Sequence, residues 1–413
     1  MRLAIARQNS PQRMPDSAQS LDTYLEADLA AIAAAQRYRR RRIVACADLD
    51  KPTRVNVDGR DCIHFCSNDY LGLSTHASVR EAFATAANRY GVGSGASHLI
   101  TGHGPEHHAL EEELAAFMGT PRALVYSTGY MCNLGIASAL VRRGDRVLED
   151  RLNHASLIDA GLANGARFER YAHANAEALE KTLEPKAQRP TPQRSWIFTD
   201  GVFSMDGDVA PLKALHSVAT KHDATLMIDD AHGFGVIGAT GRGSLEYCGL
   251  TPREVPIYMA TLGKAAGVFG AFVAGSEMLI ETLIQKSRTY IYTTAVPPAV
   301  AAATRAALKV IQTEPWRRER LHALIAKFRQ GARELGLTLF DSSTPIQPLI
   351  LGDEAQALTA SERLLERGLL VAAIRPPTVP QGTSRLRITF STAHDMEDVE
   401  RLLDALSYLP REH

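Results

Sequence analysis

Seven short β-rich runs follow one another through the middle of the chain: "ALVYS", "DRVLED", "RFERYAH", "SWIFTDGVF", "ATLMIDDAH", "PIYMATLG" and "GAFVAGS". Most are separated by segments of helical character, such as "NLGIASALVRR", "ASLIDAGLANG" and "PLKALHSVATKH". A helix between two strands returns the chain so that both run the same way. The pattern therefore calls for an α/β fold whose sheet is parallel or mostly parallel and covered on both faces. Ligands in such folds bind beyond the carboxyl ends of the strands, and the polar residues that interrupt the apolar runs here fall at those ends.

The alternation stops at Val296-Pro297-Pro298, where long helical segments ("PAVAAATRAALKVIQT", "RRERLHALIAKFRQGARELG") lead into a smaller C-terminal α+β portion. At the other end, the first twenty residues are polar, contain Pro11 and Pro15, and show no periodicity, which reads as a mobile arm. An Ala-rich helix is expected from about Asp22 to Val44, ending in "RYRRRR". That run reads either as a solvated helix end, where cations suit the dipole, or as counter-charge for a phosphorylated or acidic substrate. "TRVNVDGRDCIHFCSND" alternates β-formers around Asp58-Gly59, a hairpin signal. The expected division is residues 1–63 as arm, helix and hairpin, 64–296 as the large ligand-binding domain, and 297–413 as the small domain.

Lys+Arg and Asp+Glu both number 46, a formal net charge of zero. This argues against a protein built around a nucleic-acid backbone. No apolar run reaches the ~18 residues needed to span a bilayer, and "MRLAIARQNSPQ" lacks a signal-peptide core, so a cytoplasmic location without membrane contact is expected. Cys46, Cys62, Cys66, Cys132 and Cys248 form an odd, sparse set that reads as reduced thiols. "CIHFC" would place Cys62, His64 and Cys66 on one strand face. A zinc site would want a fourth ligand, and no second Cys/His pair stands at suitable spacing, so an inward strand face is read there and no metal is expected.

Lys264 is the one charged residue in "YMATLGKAAGVFGAFVAG", and an unpaired charge among small apolar residues is costly. A P-loop lysine is excluded, because Tyr258 stands where the first glycine should be and Ala265 replaces Ser/Thr. "GFGVIG" (233–238) matches a dinucleotide fingerprint, but "ATGRGSLEYCG" after it offers no apolar helical run. "GVGSGASHLITGHG" (91–104) could wrap a ligand or form a sharp turn. Pyridoxal phosphate accounts for more of these features together. Lys264, its ammonium destabilised by apolar surroundings, would form the Schiff base. Asp229, ending "ATLMID", would pair with the pyridine nitrogen, and His232 could bond the ring hydroxyl. His154 could stack on the ring. Gly129 and Tyr130 open a helix and would offer N–H groups to the phosphate, with Thr261 adding a hydroxyl.

The same residues carry a resemblance. "SNDYLGL" (67–73), "GSGASHLITG" (93–102), "DRLNHASL", "DGVFSMDGD" (200–208), "DDAHGFGVIGATGRG" (229–243), "TLGK" (261–264) and "IYTTAVPP" (291–298) resemble the α-oxoamine synthases. These are fold-type I pyridoxal-phosphate enzymes that join an amino acid to an acyl thioester with loss of CO2. The likeness covers nearly the whole chain after the first twenty residues or so. It implies a large domain with a mostly parallel seven-stranded sheet, a smaller C-terminal α+β domain, and a homodimer with active sites shared between subunits. "AIRPPTVPQGTSRLRIT" is similar to the branch that condenses L-alanine with a pimeloyl thioester, carried by CoA or an acyl carrier protein. Asp200 stands where that branch commonly has glutamate, and Tyr130 where phenylalanine is frequent.

Carried over position by position, the resemblance implies Lys264 as Schiff-base lysine and base at Cα. Asp229 would sit at the pyridine nitrogen and His154 over the ring. Ser204 and His232 would bond the phenolic oxygen. Gly129, Tyr130 and Thr261 would hold phosphate, with Thr294 reaching across from the second subunit. Arg387 would clamp the amino-acid carboxylate. Thr378 and Arg39 would contact the acyl substrate, and Asn68 would lie near the site. The alternatives are a glycine C-acetyltransferase of the same reaction class, an NAD-linked oxidoreductase built on "GFGVIG", and a catalytically idle interaction protein on this fold.

Overall fold

A computed structural model of the chain describes residues 20–35, 37–184 and 192–409. The expected N-terminal arm lies outside them, apart from its last residue. The chain divides into two compact units, one up to Arg42 and one from Ile43 onward. In the first, a helix spans Leu21–Ala34, with Ser20 Oγ accepting from the Thr23 N–H at 3.2 Å. None of its residues is buried. The helix was expected to run on to about Val44, but it stops at Ala34 and the arginine run is exposed, non-helical chain. Five arginines in six positions repel one another, and a helix without a buried face has no packing energy to set against that.

In the second unit the hairpin forms as expected. β1 (Val44–Cys46), β2 (Arg54–Val57) and β3 (Arg60–His64) pair antiparallel. Asp58 and Gly59 turn the chain with φ of 49° and 89°, the left-handed pair a two-residue turn requires. Next come β4 (Arg122–Tyr126), β5 (Arg146–Asp150), β6 (Arg167–Tyr171), β7 (Ser195–Asp200), β8 (Ala224–Asp229), β9 (Ile257–Thr261) and β10 (Ala271–Gly275), one for each β-rich run. They form one sheet in the order β4-β10-β9-β8-β7-β5-β6. Neighbours from β9 to β6 are parallel, and β10 is antiparallel to β4 and β9.

Alternate residues of each strand go to opposite faces. Leu148, Ile197, Leu226, Ile228, Ala260 and Phe272 enter one core, while Val147, Trp196, Phe198, Met227, Met259 and Val273 enter the other. Each large side chain so buried contributes about 1.5–3 kcal/mol, which fixes the register against a one-residue slip. The C-terminal portion adds β11 (Ile346–Gly352), β12 (Leu369–Leu370), β13 (Ala372–Ile374) and β14 (Ser384–Thr389). β11, β14 and β13 form an antiparallel sheet, whereas β12 pairs parallel with β3 and extends the hairpin sheet. Among the described residues no helix is long and apolar enough to cross a membrane.

Candidate active site

The carboxyl ends of β7, β8 and β9 carry Asp200, Asp229 and Thr261, and Lys264 follows three residues after Thr261. In register, Asp200 lies opposite Asp229. The strand β8 is followed by a chain of turns through Gly233–Gly238, and no helix starts until Ser244. The glycine pattern there is therefore loop geometry, without the helix N-terminus that a dinucleotide pyrophosphate needs.

Two hydrogen-bonded arcs meet at this edge. In the first, Asp229 is buried and accepts from Asn133 Nδ2 at 2.7 Å and from the Ala231 N–H at 3.0 Å. Asn133 also donates to Ser156 Oγ at 2.9 Å, and Ser156 Oγ lies 2.7 Å from His154 Nδ1. The His154 ring is thus held by one edge while the residue stays exposed, as a ring-stacking group must be. In the second arc, Lys264 Nζ lies 2.8 Å from His232 Nε2, and His232 Nδ1 lies 2.7 Å from the Tyr70 hydroxyl. Tyr70 donates to Asn68 Oδ1 at 3.0 Å, and Arg387 donates to the same oxygen from Nη1 and Nη2 at 3.3 and 3.4 Å.

Burial is the largest influence on Lys264 and pushes its amine down to about 8; Asp229 and Asp200 pull against it and Arg387 adds to it. Burial, reinforced by the charges of Lys264, Arg387 and His154, pushes His232 well below the ordinary imidazole range, so the ring is neutral. Burial and the neighbouring Asp229 push Asp200 well above the usual carboxylate range, although the His154 N–H donates to it at 2.7 Å.

Arg387 sits on β14, nearly buried, with Nε donating to the Ser204 carbonyl at 2.6 Å. The loop carrying Ser204 is tied down by His173, which bonds Asp150 at 2.9 Å and Asp208 at 3.1 Å. Burial opposes charge on that imidazole, but the two carboxylates outweigh it and raise it to about 10. Gly129 opens the helix Gly129–Leu140, where Thr128 Oγ1 accepts from the Met131 N–H at 3.1 Å. The N–H groups of Gly129 and Tyr130 lie in the first turn, where no intrahelical acceptor exists. A Cβ on Gly129 would come within 3.1 Å of Met259 Cε. The Tyr130 phenol bonds Asp159. The Thr261 hydroxyl donates to the Gly270 carbonyl at 2.9 Å, so it must turn to serve a phosphate.

Other expected residues lie on exposed chain. Thr294 and Thr378 are exposed, Thr378 directly after the cis peptide Pro376-Pro377. Arg39 is exposed and belongs to the N-terminal unit. Of the "CIHFC" group, His64 bonds the Pro52 carbonyl at 3.0 Å and Cys66 the Leu370 carbonyl at 3.1 Å. Asn133, Ser156 and Tyr70 were not read as site residues from the sequence. The available signal was an asparagine inside the apolar helix segment "GYMCNLGIASAL" and the tyrosine within "SNDYLGL".

These residues fit pyridoxal phosphate. A buried carboxylate at a strand end accepts only neutral N–H groups, a lysine amine is held near neutrality, and the Asn133 Oδ1 beside them is buried without a partner. The first turn of the helix at Gly129, where Met259 Cε lies close, offers unpaired N–H groups of the kind that hold a phosphate.

Asp200 yields a stability prediction. In the unfolded chain it ionises near 4, whereas the folded group keeps its proton well above that. The native state binds the extra proton in between, so stability falls as pH rises through this window. Asp200→Asn keeps an acceptor for the His154 N–H and removes that loss. With the cofactor removed, the variant is expected to melt above the parent at pH 7.5, with the gain shrinking toward pH 4.5. A lower melting temperature at pH 7.5 would show that the folded carboxyl is ionised.

Fold and site together define a transferase of the pyridoxal-phosphate type, and the family model for aminotransferase class I and II matches residues 60–406. A relative named 8-amino-7-oxononanoate synthase, from Saccharophagus degradans, is 57% identical over 393 residues, 95% of this chain and 98% of its own. Another of that name, from Methylococcus capsulatus, is 60% identical over 92% of this chain and 96% of its own. The chain belongs to the aminotransferase class I and II family and, within it, to the 8-amino-7-oxononanoate synthases. Among solved structures, a serine palmitoyltransferase from S. paucimobilis with bound PLP superposes with a TM-score of 0.87 at 30% identity, covering 94% of this chain and 98% of its own. An 8-amino-7-oxononanoate synthase from Francisella tularensis gives 0.73 at 31% identity, covering 84% and 97%.

Proposed function

We propose that this chain condenses L-alanine with a pimeloyl thioester, releasing CO2 and the free thiol and giving 8-amino-7-oxononanoate for biotin biosynthesis. The observation that carries the reaction type is the meeting of Lys264, His232 and Asp229 at the strand ends with Arg387 on β14. The substrate pair is supported by 56–60% identity to relatives named for this product.

Pyridoxal phosphate, when bound, supplies an electron sink for negative charge at the amino-acid Cα. Lys264 would hold it at its aldehyde carbon, Asp229 at its ring nitrogen, Ser204 and His232 at its phenolic oxygen, and Gly129, Tyr130 and Thr261 at its phosphate, with His154 over the ring. Lys264 takes the Cα proton of alanine and returns one to the product. An amine with a value near 8 suits both directions at neutral pH. Arg387 would face the alanine carboxylate with two Nη groups that now bond the neutral amide oxygen of Asn68 at 3.3 and 3.4 Å. A carboxylate offers stronger, charge-assisted bonds than that amide. Arg39 and the arginine run would meet the phosphates of CoA or a carrier protein, and Thr378 the acyl chain. Thr294 would enter the site of a second subunit in a cytoplasmic homodimer, which size-exclusion chromatography with light scattering tests as twice the 44.9 kDa chain mass.

The test pairs alanine, glycine or serine with pimeloyl-CoA, pimeloyl-carrier protein or acetyl-CoA and follows thiol release together with product mass. The alanine and pimeloyl pair should be fastest; glycine with acetyl-CoA as the best pair would overturn the assignment. Arg387→Lys should raise the KM for alanine by roughly 10- to 100-fold through loss of the guanidinium fork. An unchanged KM would remove Arg387 from the carboxylate site.

A further inference from the structure

We propose that His173 is a positioning residue for the substrate carboxylate: an imidazolium clamped between Asp150 and Asp208, it holds the turn whose Ser204 carbonyl aims Arg387. The proposal rests on the reading of Arg387 as the carboxylate clamp. It goes beyond that reading by naming what sets the lie of the guanidinium.

The imidazole has a carboxylate on each side. Nδ1 lies 2.9 Å from Asp150 Oδ1, and Nε2 lies 3.1 Å from Asp208 Oδ2. Asp150 ends β5, is buried, and also accepts the Leu152 N–H at 2.8 Å and the Ala174 N–H at 2.7 Å. Carboxylates accept, so both ring nitrogens donate, and an imidazole with two N–H groups carries a positive charge. That charge is kept up to about 10. The same ring meets the buried Phe203 edge-on, with 4.4 Å between centroids.

Residues 203–208 close on themselves. The Phe203 N–H donates to the Asp208 carbonyl at 3.0 Å, and the Gly207 N–H to the Phe203 carbonyl at 2.8 Å. Ser204 lies inside this turn, and its carbonyl accepts from Arg387 Nε at 2.6 Å. Arg387 also bonds Asn68 Oδ1, at 3.3 and 3.4 Å, and the Tyr70 phenol. The Ser204 contact is shorter than either Asn68 contact, and it comes from a backbone group that cannot swing as a side chain can.

One side of the turn is fastened to the C-terminal portion. Asp206 pairs with Arg385, and the Gly207 carbonyl accepts from Ser342 Oγ at 2.8 Å and Thr344 Oγ1 at 2.9 Å. His173 fastens the other side to the end of β5. Without a cation between them, Asp150 and Asp208 would face each other as like charges in a partly buried gap. Their repulsion would push the turn, and Ser204 with it, away from Arg387.

The test measures kcat and the KM for L-alanine in holoenzyme with pimeloyl-CoA. Alanine binding without acyl donor is read from the change in visible absorbance. His173→Gln keeps donor groups but no charge, and should raise both the KM and the Kd for alanine roughly tenfold with kcat within about threefold. Asp208→Asn keeps an acceptor for Nε2 and should stay within about twofold of the parent. Combining the two removes one of the facing charges and should bring the KM back to within about threefold of the parent. In an Arg387→Lys background, adding His173→Gln should change the KM by less than about twofold, since the fork it aims is gone.

An unchanged KM in His173→Gln would overturn the proposal. So would a double variant no better than His173→Gln, or a further large rise in the Arg387→Lys background. If His173→Gln alone is too unstable to assay, the double variant carries the test, a parent-like KM supporting the proposal and a raised one overturning it. Arg387→Lys separates the two readings. An unchanged KM there removes the carboxylate clamp and this proposal together, whereas a raised KM that His173→Gln does not share removes this proposal alone.

Discussion

Lys264→Ala should abolish turnover, lowering kcat by roughly 10^4-fold or more, since one substitution removes the group proposed both as the covalent anchor of the cofactor and as the base at Cα. It should also abolish the visible absorbance that the purified protein is expected to show near neutral pH. The small residues around Lys264 leave the amine desolvated and push it down to about 8. In the unfolded chain the same group would keep its proton to about 10.4. The unfolded state therefore binds more protons between those values, so the stability that burial of the amine removes is recovered as pH rises from about 8. Alanine carries no such penalty, and the cofactor-free variant is expected to melt no lower than the parent at pH 7. That separates loss of chemistry from loss of fold. In the parent, cofactor uptake by the cofactor-free protein should slow about tenfold per pH unit below about 8, because only the free amine attacks an aldehyde. A coloured, active Lys264→Ala protein would remove the lysine from the mechanism.

Asp229→Asn is the second large expectation, a loss of roughly 10^2- to 10^4-fold in kcat. The carboxylate is nearly enclosed and aimed by two donors, Asn133 Nδ2 at 2.7 Å and the Ala231 N–H at 3.0 Å. Both contacts hold its orientation, and neither neutralises its charge. That charge is available to keep a proton on the ring nitrogen, which an amide of the same shape cannot do. The substitution preserves volume, so the thermal melt should stay close to the parent while kcat falls. Asn133→Leu makes a useful companion: it leaves the charge but removes the group that ties Asp229 to the Ser156–His154 edge. A smaller loss in kcat is expected from it than from Asp229→Asn. Activity of Asp229→Asn within about tenfold of the parent would show that ring-nitrogen protonation is not maintained by this residue.

Much of this was legible because it is periodic or chemically odd. Seven β-rich runs became seven strands of one sheet, since strand–helix alternation leaves few ways to bury both faces. Lys264 and Asp229 stood out as charges in apolar runs, and burial confirms the oddity at Asp229. The helix expected through Val44 was read too long, because helical propensity says nothing about whether any face will be covered. Tyr70, Asn133 and Ser156 were passed over for a different reason. Their roles exist only as distances to residues 162, 96 and 2 positions away along the chain.

The sequence by itself determined the layer architecture and singled out the lysine, the aspartate and the histidines proposed as site residues, because each is a local departure from a repeating apolar pattern. The tertiary structure alone decided how those groups address one another. It seated His232 between Lys264 and Tyr70, aimed Asp229 through Asn133, and delivered Arg387 from β14 beside Asn68 across 319 residues. Hydrogen-bond direction depends on what lies across the gap, and only the folded chain puts anything there.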